Sequence, residues 1–153
     1  MEFSNQKRSK QIKRGFNIGG IIIVLTGLVL LWLKNDIGVM IAVGVFVVYV
    51  GLSQFANLCY VFFSTENGKV LIKYYPIITI MKKEYGSVEF AQKALVNFRI
   101  ERAMGFKDLE IAIRTKRGIA EYPQISLSAL SKVEIEQIVD ALTEIIRNNK
   151  KGA

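Results

Sequence analysis

Between Arg14 and Glu66 the chain carries only two charges, Lys34 and Asp36, and both sit in the short loop Trp32-Leu33-Lys34-Asn35-Asp36. The apolar runs on either side cover residues 16–33 and 37–56. Asn17 and Thr26 interrupt the first, and Ser53 and Gln54 fall at the end of the second. A helix needs about 20 apolar residues to cross the roughly 30 Å of hydrocarbon in a bilayer, whereas a buried soluble helix is shorter and keeps a polar face. The pattern therefore predicts two transmembrane helices over about 16–33 and 37–56, joined as a hairpin with Trp32 at interfacial depth. A cleaved signal peptide is the competing explanation of the first run. The run is long, no small-x-small site follows it, and a second run begins within four residues, so a retained anchor is expected.

The remaining composition divides the chain. Hydrophobic residues make up 51% of the 153, yet the apolar excess lies before Ser64 and most charge lies after it. Lys and Arg number 21 against 13 acids, a net charge of +8. Lys7, Arg8, Lys10, Lys13 and Arg14 precede the first span against only Glu2, and many more cations follow the second span. By the positive-inside rule, both termini of this multi-pass membrane protein are expected in the cytoplasm. Neither span holds an ionisable residue, which argues against a transporter or pump. Gly20 and Gly27, and again Gly44 and Gly51, stand seven residues apart and mark stripes for helix packing, within the hairpin or against another chain.

After the spans the hydrophobic period changes to two. Runs at 60–65 and 69–75 flank Glu66-Asn67-Gly68, a strong hairpin signal. Alternation at 96–101 and 109–114 predicts two further strands around a Met104-Gly105 turn, and Arg117-Gly118 leads into a strand over 119–125 that contains Pro123. Two short strands are expected at 77–85 and 87–90. Ser131-Lys132-Val133-Glu134 is a capping box, followed by Ile135, Ile138, Val139, Leu142, Ile145 and Ile146 at helical spacing. The stripe is built to cover a sheet, with a frayed tail expected over 149–153.

Seven short antiparallel strands closed by one amphipathic helix, behind a transmembrane hairpin, resemble the bacterial pleckstrin-homology-like membrane proteins. The resemblance is carried by the strand order, the Asn67-Gly68 hairpin, the segment Gly118-Ile119-Ala120-Glu121-Tyr122-Pro123-Gln124-Ile125-Ser126 and the helix over 131–147. It implies a membrane α-hairpin plus an α+β unit: a basic cytoplasmic arm (1–15), the hairpin (16–58), a bent seven-stranded barrel with its closing helix (59–148) and the tail. It also raises phosphoinositide binding. The eukaryotic pattern sets a hairpin Lys before Lys/Arg-x-Arg, and this chain departs from it with Lys69 and Lys73 followed by Lys82-Lys83-Glu84.

Residues for catalysis are scarce. There is no histidine, so neither a His base nor a Cys/His zinc site is available, and no Gly-rich phosphate loop or carboxylate pair stands out. Cys59, between Leu58 and Tyr60, is expected to be a protonated buried thiol, with palmitoylation as the alternative. Acids interleave with the cations after the spans, which argues against nucleic acid. The expectation is a non-enzymatic interaction module without cofactor or metal, an adaptor or small subunit. Its partner would be a protein, or a second copy, engaged through the hairpin or the groove beside the closing helix. The alternative is a binder of anionic lipid using Lys7, Arg8, Lys10, Lys13, Arg14, Lys82, Lys83, Arg114, Lys116 and Arg117. A holin-like pore former is a third reading, which a patterned, capped C-terminal part opposes.

Overall fold

The structure, a computed structural model, describes residues 1–79, 85–103 and 105–151. Two antiparallel helices, α1 (Gln6–Trp32) and α2 (Asp36–Phe55), each long and apolar enough to cross a membrane, form the hairpin. None of the residues in their most apolar windows is buried by the rest of the chain. The turn is stabilised by the Asn35 side chain, which accepts from the Gly38 N–H at 2.9 Å and caps α2.

Residues 1–15, expected as a basic cytoplasmic arm, carry regular structure. Glu2–Ser4 form a strand, β1, and α1 already begins at Gln6, because neither Pro nor Gly interrupts the chain before Gly15. Lys7, Arg8, Lys10, Lys13 and Arg14 therefore ride on the first turns of a helix that continues unbroken into the apolar run. Asn5 joins the two elements. It is 1% exposed, and its Oδ1 accepts from the Val61 N–H at 2.9 Å and from the Ser9 hydroxyl at 3.1 Å, while its Nδ2 donates to the Cys59 carbonyl at 3.2 Å.

Beyond α2 the chain makes two antiparallel sheets. Sheet A runs β1-β2-β3-β4, with β2 at Cys59–Ser64, β3 at Lys69–Pro76 and β4 at Gly86–Ala91. The β2–β3 turn is the expected one: Asn67 and Gly68 adopt φ of 52° and 70°, and the Lys69 N–H donates to the Glu66 carbonyl at 2.9 Å. A 3-10 turn at Gln92–Ala94 leads into sheet B, where β5 (Leu95–Ala103) pairs β6 (Phe106–Thr115). β6 in turn pairs β7 (Gly118–Glu121) near one end and β8 (Ile125–Ser126) near the other. Among the described residues the expected seven-stranded barrel is thus eight strands in two separate sheets. The strand expected over 119–125 is split at 122–124, around Pro123, which has no N–H to donate to a ladder. The strand expected over 77–85 does not begin at 77–79, where the chain bends after Pro76, and 80–84 lie outside the described residues. Met104 lies outside them too.

The closing helix α3 (Lys132–Lys151) starts on the expected box, with Ser131 N–H to Glu134 Oε2 at 2.6 Å and Glu134 N–H to Ser131 Oγ at 3.2 Å. Ile135, Ile138, Leu142 and Ile145 enter the core with Val61, Phe63, Ile72, Leu109, Ile111 and Ile125. The helix does not fray at 149. Asn149 Nδ2 donates to the carbonyls of Gln92 and Leu95 at 2.8 and 3.1 Å, tying its last turns to the corner between the sheets.

Candidate functional site

The inner face of sheet A is core, and its outer face is graded along the strands. At the end beside the hairpin, register partners Tyr60 and Tyr75 stack with ring centroids 4.6 Å apart, and Tyr85 leans on Tyr75 at 5.3 Å. At the other end Lys69 and Glu89 form a solvent-exposed ion pair at 2.8 Å, which raises the lysine's pKa and lowers the carboxylate's. Burial, and then the neighbouring Tyr60 and Tyr85, make the Tyr75 phenol harder to ionise. A cavity of about 360 Å³ opens between Tyr60, Phe62, Lys73, Tyr75 and Tyr85. Gly86 stands at its edge, where an added Cβ would overlap the outer end of the Tyr74 ring, its register partner. Next to it, α1 sets Gln6, Ser9, Lys10 and Lys13 around a smaller hollow of about 170 Å³ whose other walls are Tyr60, Tyr75 and Ile77. Positions 6, 10 and 13 share one helix face because the α-helix repeats every 3.6 residues.

A second surface lies where α3 ends. Leu95, Val96 and Ile146 floor a groove of about 450 Å³, and Lys93, Arg114 and Lys150 stand around it with no acid among its lining residues. Asn149 is part of that lining, so the hydrogen bonds that hold α3 also hold the groove open. Lys93 and Lys150 were not singled out by sequence reasoning. They are isolated surface lysines in one dimension, and only the β4–β5 corner and the full length of α3 bring them to Arg114.

The cations considered for lipid contact, an N-terminal group and a second group at 82–83 and 114–117, fall on different surfaces where they are described. Lys10 and Lys13 join the tyrosines, and Arg114 joins the groove. Lys116 and Arg117 are exposed on the β6–β7 turn, and Lys82 and Lys83 lie outside the described residues. The glycine stripes divide as well. Gly27 faces α2, where an added Cβ would lie 3.6 Å from that of Ala42, but Gly20, Gly44 and Gly51 look into open space. Gly19, unlike these, lies close under Tyr49 of α2, whose hydroxyl donates to the Phe16 carbonyl at 3.0 Å and whose ring stacks on Phe16 at 4.9 Å.

Cys59 points into the core at 5% exposure, and burial, followed by the charge of Asp108, pushes its thiol up to about 11. At pH 8 the thiolate population is then about a hundredfold below that of an ordinary cysteine. Iodoacetamide labelling of the folded chain at pH 8 will be at least about a hundredfold slower than labelling of the denatured chain. Comparable rates would show that the thiol is accessible and ionised. No protein-family model, curated protein or solved structure matches the chain.

Proposed function

We propose that the chain is a membrane-anchored, non-enzymatic interaction module. The hairpin crosses the inner (plasma) membrane with both termini in the cytoplasm, and the two sheets and α3 form a pleckstrin-homology-like domain held at that face. Support for the topology comes from the cations at the start of α1 and their abundance after α2. Two antiparallel sheets meeting at a corner, with one helix laid over their shared core, are what such a domain requires. A folded, capped C-terminal part weighs against a pore former.

The groove at the end of α3 carries the functional reading. An apolar floor with Lys93, Arg114 and Lys150 around it and no lining acid is complementary to an acidic segment of a partner protein that also presents one or two apolar side chains. Native mass spectrometry of the chain released from its own membranes in mild detergent tests this. Wild type is expected to carry one added protein mass, and Lys93→Glu with Arg114→Glu is expected to lose it. A bare monomer, an added mass equal to a second copy of the chain, or a partner retained by the double variant would overturn the reading.

A further inference from the structure

The hollow at the base of α1 lies at a defined height above the apolar run. Lys13 precedes Phe16 by three residues and Lys10 by six, about 4.5 and 9 Å along the axis. The headgroup region adds roughly 5–8 Å to each side of the hydrocarbon, which places Lys13 within that layer and Lys10 at its outer edge, where a lipid headgroup meets both. Facing them are Tyr60 and Tyr75, aromatic residues of the kind that favour this layer. Asn17 and Gly20 continue the Lys10–Lys13 face toward the apolar core. Asn17 is an exposed amide among apolar residues, and Gly20 leaves open space where a Cβ would stand. Neither lysine takes part in an ion pair among the described residues, and no acid lines the hollow.

We infer that this hollow binds one anionic phospholipid of the surrounding leaflet. Its phosphate sits between Lys10 and Lys13, its headgroup lies against Tyr60 and Tyr75, and an acyl chain runs down α1 past Asn17 and over Gly20. Two cations carried by one helix at headgroup level favour an anionic headgroup over a zwitterionic one of the same size. The site is separate from the groove beside α3 and does not depend on a protein partner.

The full chain is reconstituted in nanodiscs of 70% phosphatidylcholine and 30% phosphatidylglycerol, then released and weighed by native mass spectrometry. One phosphatidylglycerol per chain is expected to remain bound, preferred well beyond its share of the lipid. Lys10→Gln with Lys13→Gln should lower that preference about thirtyfold. Lys7→Gln with Arg8→Gln removes the same charge at other positions of α1 and should leave most of the preference intact. Equal losses in the two double variants would mean diffuse attraction and overturn the site, as would statistical lipid retention by wild type. Neither pair includes a buried residue, and matched melting of the variants with wild type excludes misfolding as the cause.

Discussion

Asn5→Ala will loosen the junction between α1 and β2 by about 2–5 kcal/mol, since the backbone groups it leaves without partners are sealed from water. The side chain satisfies the Val61 N–H and the Cys59 carbonyl at once, with Ser9 as a third partner, all at a buried position. Alanine fits the space but pairs with neither backbone group. Hydrogen exchange of β1 and β2 amides, read by mass spectrometry on the detergent-solubilised chain, should show protection falling by roughly one and a half to three and a half orders of magnitude. Ser9→Ala removes one bond and no backbone partner, so its effect should be the smaller. Asn5→Asp adds a sign test. Its carboxylate still accepts from Val61 but faces the Cys59 carbonyl oxygen with no proton to donate, and burial raises its pKa in the folded state. A raised folded pKa contributes stability below the unfolded value near 4, and that stability is lost as pH rises through the folded value. The variant should therefore exchange most slowly, relative to wild type, in acid. Wild-type protection in Asn5→Ala at all pH values would show that Asn5 is not what joins helix to sheet.

Phe63→Ala should be the most damaging core truncation in sheet A, at about 3–5 kcal/mol. The ring is fully buried, its centroid is 5.6 Å from that of Phe3 on β1, and its register partner on β3 is Ile72. Removing it opens a cavity beneath two strands at once, so exchange should quicken across β1, β2 and β3 together. Phe3→Ala, at a half-buried position on the edge strand, should cost less and stay local to β1. If Phe63→Ala speeds exchange no more than Phe3→Ala, sheet A does not depend on that packing.

The elements legible in the sequence are those whose cause lies within a few residues. Asn67-Gly68 carries its own turn geometry, and the Ser131–Glu134 box and the stripe behind it define α3 wherever the helix docks. The apolar runs announce themselves by length alone. β1 was hidden because Glu2-Phe3-Ser4 is three residues long and its partner lies some 60 positions away, among residues whose charges invite a reading as topology signals. Asn5 looks like any polar residue before a helix, and only the ladder to β2 reveals its partners. The strand expected over 77–85 ignored what Pro76 does to the chain after it. The two candidate surfaces were half visible. Lys10, Lys13 and Arg114 were marked as cations, but Tyr60 and Tyr75 meet only through strand register, and Lys93 and Lys150 only through the corner and the end of α3.

The unbroken run of α1 from the lock at Asn5 to the turn at Trp32 has a mechanical consequence. Its 27 residues form a rod about 40 Å long, and no hinge separates the part that packs on α2 from the part bonded to β2. An ordinary tether would let the sheets drift while the hairpin tilts. Here a tilt of about 10° swings one end of the rod about 7 Å sideways relative to the other and turns sheet A through the same angle. In the membrane placement proposed above, tilt is one response of a helix to a change in bilayer thickness, and such a tilt of α1 would become a change of attitude in sheet A.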